Sequence, residues 1–256
     1  MIDLHCHVLP GIDDGPRTIE ESIVLARVAA ANGIRTIVAT PHASARYPNR
    51  PAAIRELVAQ LNQRLRTDEI PIEVCAGAEI AMTHAPDIDA SELVQMTLGG
   101  GPWLLLEPPF SPVVTGLDRA VATARGDGYR IVLAHPERCQ AFRRDPSILR
   151  ELVNDGALTS ITAGSLAGRF GKEVRKFALR LADDGLVHNV ASDAHDHLRR
   201  PPSILRELER AGMGPLAEWL TQAVPAAILA GEEIPTRPAD AAPPHKRLRR
   251  WLRPAW

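Results

Sequence analysis

IDLHCHVLPGIDDG, residues 2–15, opens on a short apolar run that ends in two histidines spaced two apart and is followed by a pair of aspartates. In an extended strand, residues two apart point to the same side, so the His5 and His7 imidazoles can reach one object. The same arrangement recurs along the chain. His42 follows the run IRTIVAT (34–40), Glu79 comes at the end of IEVCAGAEI (72–80), and Glu107 ends WLLLE (103–107). His135 follows RIVLA (130–134), and Asp193 and His195 follow HNVAS (188–192).

Between these runs lie helical patterns. Thr18 and Glu21 have capping-box spacing at the start of a helix through ESIVLARVAAANG that Gly33 closes. Further helices are expected near 51–67, 115–126, 146–154, 171–184, 202–212 and 215–230, and LTSIT (158–162) completes a set of seven strands. This is the βαβ rhythm of a parallel sheet or barrel. In a barrel of parallel strands the carboxyl ends share one rim, so polar residues far apart in sequence meet there. The expectation is a single α/β domain over residues 1–234, followed by a Pro-rich basic tail, 235–256.

The 256 residues, 45% of them hydrophobic, suffice for one sizeable core. Thirty basic and thirty-one acidic side chains nearly cancel, which excludes a bulk field that gathers nucleic acid. Three scattered cysteines argue against a disulfide framework and for a reducing compartment. With no apolar run of membrane-spanning length and no secretory-type start, the expected location is cytoplasmic. The tail, with Trp251 and Trp256 among basic residues, suits contact with the inner membrane face or a partner.

Nine side chains would meet at the shared rim: His5, His7, Asp14, His42, Glu79, Glu107, His135, Asp193 and His195. No lysine is placed to neutralise them; the lysines are at 172, 176 and 246. Mixed nitrogen and oxygen donors suit Zn²⁺, Mn²⁺ or Fe²⁺, and nine donors exceed what one ion takes, so two or three ions are expected with Glu79 able to bridge. Clustered metals generate a nucleophile from water and clamp the oxygens of an in-line displacement, which suits phosphoester hydrolysis. Arg138 and Arg200 follow His135 and His195 closely enough to grip phosphate oxygens in a fork.

The segments HCHVLPGIDDGP, ATPH, GAEI, LLLEPPF, AHPER and ASDAH, in this order, resemble the polymerase and histidinol phosphatase (PHP) superfamily. PGIDDG and SDAHDHLRRPP look most like its branch of manganese-dependent bacterial protein tyrosine phosphatases of capsule and exopolysaccharide operons. The resemblance spans about residues 1–232. It implies a distorted (β/α)₇ barrel with a trinuclear site, Mn²⁺ as the foremost metal, and as partner the phosphotyrosine tail of a kinase that regulates polysaccharide chain length. Carried over by position, the nine residues above are the ligands, with Asp14 rather than Asp13 taken from the pair. Arg138 and Arg200 bind phosphate, and Asp13 orients a loop or a ligand histidine. The tail is not explained by the family pattern.

Four other readings compete. A cysteine-dependent phosphatase loop needs an arginine six residues after its cysteine, where Cys6, Cys75 and Cys139 have Ile12, Ala81 and Asp145, so that mechanism fails. An amidohydrolase also opens with His-x-His, but no lysine stands at a strand end to bridge metals. A small-molecule phosphatase acting on a substrate such as histidinol phosphate and a non-catalytic kinase-docking module differ from the first reading in turnover. His84, His188, His197 and His245 are read as surface or satisfied polar residues, with His197 near enough to the rim to touch substrate.

Overall fold

All seven apolar runs form strands, and among the described residues every ladder between strands is parallel. The computed structural model describes residues 1–113 and 116–239, so residues 240–256, which carry most of the basic tail, lie outside it. In chain order the strands are β1 (Ile2–Cys6), β2 (Thr36–Ala39), β3 (His42–Ala43), β4 (Glu73–Ala76), β5 (Glu79–Ala81), β6 (Trp103–Glu107), β7 (Arg130–Ala134), β8 (Leu158–Thr162) and β9 (Asn189–Ala191). They form one sheet of order β1-β2-β4 and another of order β3-β5-β6-β7-β8-β9. Beyond β9, Cys6 forms a parallel bridge to Ala194, and the Asp193 N–H donates to the His5 carbonyl at 2.9 Å. The chain is an α/β domain built on parallel sheets.

One of the expected strands is broken in the middle, and another is followed by a short strand that the sequence did not announce. IEVCAGAEI divides at Gly77–Ala78 into β4 in the first sheet and β5 in the second. A Cβ on Gly77 would stand 2.9 Å from Val38 Cγ1, so only glycine lets the strand pass so close to β2. One strand earlier, the chain past Thr40 resumes as β3; Pro41 has no N–H for a ladder, and its carbonyl accepts from the Glu79 N–H at 3.1 Å. The breaks carry both chain passes across from one sheet to the other.

The helices are α1 (Ile19–Ala31), α2 (Pro51–Thr67), α3 (Ala90–Leu93), α4 (Leu117–Gly126), α5 (Gln140–Arg144), α6 (Pro146–Asn154), α7 (Ala163–Leu166), α8 (Lys172–Asp183), α9 (Leu205–Arg210) and α10 (Val224–Ala230). Thr18 caps α1 by accepting from the Glu21 N–H, while Glu21 reaches back to the Arg17 N–H at 2.7 Å, one residue earlier than a capping box would have it. In α8, Val174, Phe177, Ala178 and Leu181 repeat at helical spacing and are buried. The expected helix at 202–212 starts only at Leu205, after Pro201 and Pro202. The one at 215–230 is composite: a 3₁₀ turn (Gly214–Leu216), a π turn (Trp219–Ala223) and α10. Pro225 lacks an N–H and its ring crowds the carbonyl four residues back, which opens the preceding turn. Among the described residues no helix is long and apolar enough to cross a membrane.

Asp3 fastens the first strand to the last. Its carboxylate is fully buried and accepts from the Ser192 N–H at 2.9 Å and the Ser192 hydroxyl at 2.5 Å. Burial pushes the Asp3 carboxyl up to about 6, and the Ser192 bonds hold it from rising further. Replacement by alanine would leave two Ser192 donors buried without acceptors. Asp3→Ala should therefore cost about 2–4 kcal/mol in urea unfolding, whereas Ser147→Ala on the surface should stay within about 0.5 kcal/mol.

Candidate metal centre

Glu79 stands at the middle of a knot of imidazoles. Its register partner across the β3–β5 ladder is His42, whose Nδ1 is 2.9 Å from Glu79 Oε2. His5 Nε2 in β1 and His7 Nε2 just past it each lie 3.3 Å from the same oxygen, and just past β7 His135 Nε2 lies 2.7 Å from Oε1. Glu107, at the end of β6, is 3.6 Å from His135 Nε2. Past β9, Asp193 Oδ1 is 3.6 Å from both His5 and His7 and 3.7 Å from His195 Nδ1. Asp14 closes the outer side, 3.4 Å from His42 Nε2 and 3.3 Å from His195 Nε2.

All nine expected side chains are thus brought together. Their donor atoms fall into four overlapping groups with mutual distances within 4.8 Å: His7, Asp14, His42, His195; His5, His7, Asp193; His5, Glu79, His135; and His42, Glu79, Glu107. Asp13 sits one shell out, accepting from His7 Nδ1 at 2.7 Å and from the His42 N–H at 3.1 Å. Arg138 and Arg200 both hold Asp193 Oδ2, at 2.9 and 2.6 Å, and the buried Arg200 Nε–H has no partner among the described residues. Cys6 points its sulfur at the Ala194 carbonyl, 3.8 Å away, and burial pushes its thiol well up, so it is no nucleophile.

The bonding at His7 tests whether the donors suit a cation. Its Nδ1 is engaged by Asp13, which in a neutral ring leaves a lone pair on Nε2 facing both Glu79 Oε2 and His5 Nε2, the latter 3.2 Å away. Lone pairs at that distance repel unless a proton or a metal cation lies among them. The groups fit divalent ions.

Without a metal, protons do part of that work. Burial opposes charging His7, but Asp13 and Glu79 overcome it and lift the ring to about 9. Burial also opposes His42, which Asp14 and Glu79 raise to about 11. Burial works to raise Glu79 and Asp193, yet the surrounding imidazoles, and for Asp193 the two arginines, hold both well below the usual carboxylate range. Glu107 goes the other way, pushed up to about 7 by burial and the Glu79 charge. His135 is driven down to about 4 by burial and Arg138.

Two of these residues have strained backbones: φ is 29° at His135 and 50° at Asp193. The Ser160 carbonyl accepts from the His135 N–H, and the Thr162 hydroxyl donates to Asp193 Oδ2 at 3.2 Å. Thr162 was not foreseen from sequence, nor were Tyr47, stacked on His42, and Phe110, stacked on His135. Of these, only Phe110 has a local signal, in its place just past the Glu107 strand end. Of the four histidines read as bland, His84 meets Asp87, and His188 Nδ1 bonds the Thr159 N–H. His197 is exposed and lines a cavity of ≈ 380 Å³ beside Asp14 and His195, and His245 lies outside the described residues.

A profile of the capsular polysaccharide synthesis CpsB/CapC family matches residues 1–211. The chain belongs to this family. It is 45% identical over 197 residues to the tyrosine-protein phosphatase YwqE of Bacillus subtilis, covering 77% of this chain and 78% of that one. It is 34% identical over 202 residues to the putative tyrosine-protein phosphatase CapC of Staphylococcus aureus, covering 78% and 79%. A crystal structure from work on YwqE and Streptococcus pneumoniae CpsB, described as metal-dependent tyrosine phosphatases, superposes with a TM-score of 0.81 at 38% identity, over 95% of this chain and 98% of that one. A dihydropyrimidinase from Brevibacillus agri shares the fold alone, with a TM-score of 0.55 at 12% identity over 90% of this chain and 70% of its own.

The crowding of donors has a consequence for stability. Saturating Mn²⁺ should raise the thermal midpoint and excess EDTA should lower it, by about 4 kcal/mol of stabilisation at a thousandfold excess over Kd. Because His7 and His42 bind protons in place of metal, uptake should release protons and weaken between pH 8 and pH 6, read by calorimetry in buffers of different ionisation enthalpy.

Proposed function

We propose that this chain is a metal-dependent phosphotyrosine protein phosphatase, acting in the cytoplasm on a tyrosine kinase that regulates capsular or exopolysaccharide synthesis. The observation that carries the reading is five imidazoles and four carboxylates converging beside two arginines, in a chain whose relatives carry the name tyrosine-protein phosphatase. His5, His7, Asp14, His42, Glu79, Glu107, His135, Asp193 and His195 are the proposed ligands of two or three divalent ions, Mn²⁺ foremost. Such ions would supply a nucleophile at neutral pH and neutralise charge on the phosphoryl oxygens. The architecture we favour is a distorted (β/α)₇ barrel over residues 1–234, supported by seven parallel chain passes and the Cys6–Ala194 bridge. The tail, 235–256, is proposed to touch the inner membrane face or the kinase.

The protein groups divide the work. Asp13 holds His7 by Nδ1, so Nε2 is the donor. Arg138 and Arg200, already anchored on Asp193, present their remaining N–H groups to the nonbridging phosphate oxygens. A tyrosine leaving group, with an unperturbed pKa of about 10, departs without an obligatory protein acid.

Phosphate release from a phosphotyrosine peptide and from histidinol phosphate, each with Mn²⁺, separates this reading from a small-molecule phosphatase. No release from any aryl ester, with metal bound, would instead leave a docking module. His135→Ala should lower kcat/KM more than about 100-fold. Arg200→Ala should act mainly on KM, lowering kcat/KM by roughly 10- to 150-fold, the loss of a hydrogen bond to a charged group. A fully active His135→Ala protein would contradict the ligand assignment.

A further inference from the structure

Phe110 is a large apolar side chain left open to solvent where the proposed phosphate grip lies. The segment Glu107-Pro108-Pro109-Phe110 places it there: Glu107 ends β6 within the donor cluster, and two prolines stiffen the step to the next side chain. The Cys139 thiol, just past Arg138, donates to the Pro109 carbonyl at 3.4 Å and ties this segment to the Arg138 loop. The Phe110 ring stacks on the His135 imidazole, with centroids 5.5 Å apart and planes at 17°, and lies 4.8 Å from the Arg138 guanidinium carbon. The Arg138 guanidinium carbon is also 4.5 Å from the Phe170 ring, which lies 5.7 Å from that of Arg200. Yet 42% of Phe110 remains exposed.

Resting on the phosphatase reading above, we infer that Phe110 is the specificity-determining residue for an aryl phosphate: its open ring surface packs against the phenyl group of the substrate while Arg138 holds the phosphoryl oxygens. The guanidinium and the ring are in contact, so a phosphate gripped by the one brings its ester substituent over the other. A phenyl substituent gains aromatic contact and buries apolar surface there, whereas a short alkyl chain covers little of it. Phe170 lies within cation–π reach of both Arg138 and Arg200 and acts as a positioning residue for the two guanidinium groups.

The test is binding by calorimetry to the full chain in Mn²⁺, with phenylphosphonate, methylphosphonate and inorganic phosphate as probes, together with steady-state kinetics on a phosphotyrosine peptide. Wild type should prefer phenylphosphonate to methylphosphonate. Phe110→Ala should weaken phenylphosphonate about tenfold, the size expected for one aromatic contact, and change the other two less than about twofold. KM for the peptide should rise by the same factor with kcat nearly unchanged, Mn²⁺ uptake should be unaltered, and Phe110→Tyr should restore the preference. Equal weakening of all three probes, or a fall in Mn²⁺ affinity, would show that Phe110 only shields His135 and would overturn the inference. An unchanged preference in a protein that hydrolyses the peptide would overturn it alone. A wild-type protein that releases no phosphate from the peptide would remove the functional reading and this inference with it.

Discussion

Glu79 is a carboxylate with almost no exposure, and its ionised form is tenable only because ring nitrogens from β1, β3 and the residue after β7 crowd its two oxygens. Taking such a charge out of water costs several kcal/mol unless partners are in place beforehand. That requirement constrains the surrounding architecture. His42 must be its ladder neighbour, so β3 must pair with β5 in that register, and β1 must end where His5 and His7 both face inward. The breaks at Pro41 and Gly77–Ala78 deliver β3 and β5 to the second sheet. A continuous strand through 72–80 would leave Glu79 in the first sheet, without its partner.

The second layer holds what the first cannot hold by itself. Asp193 is buried, carries a left-handed backbone and gathers two arginines and a threonine hydroxyl. Its neighbour Ser192 is gripped by Asp3, and its own N–H reaches the His5 carbonyl. Asp13 does for His7 what Asp3 does for Ser192, and Glu137, just before Arg138, accepts from the Thr162 N–H and the Ser165 hydroxyl. The strain at His135 and Asp193, each worth about 1–3 kcal/mol, is offset by the bonds that their backbones and side chains make in this conformation.

What could be read in the sequence was the part governed by periodicity. An apolar run followed by His, Asp or Glu is a one-dimensional signal, and six such runs among seven parallel strands bring those residues to one end. The capping at Thr18 and the buried stripe of α8 are equally local. What escaped was set by contacts between runs. Gly77 reads as an ordinary strand residue until Val38 is known to lie against it. Thr162 is one more β-branched residue in LTSIT until Asp193 arrives from 31 positions away. The π turn before Pro225 depends on a helix continuing through a residue that sequence rules would use to end it.

The cluster is also graded in depth, and this bears on how cations would reach it. Glu79, His5, His7, His135 and Asp193 are sealed from solvent, whereas the Asp14 side chain is 49% exposed and His42 is partly open. The outermost donor group, His7, Asp14, His42 and His195, borders the cavity that also reaches Arg17 and Arg199. It shares His7 with one inner group and His42 with another, and Glu79 is common to two. An ion seated in an inner group would orient rings that the outer group also uses. The enclosed groups have few degrees of freedom left once Glu79 is in place, and the donors open to solvent are Asp14, His42 and, to a lesser extent, Glu107.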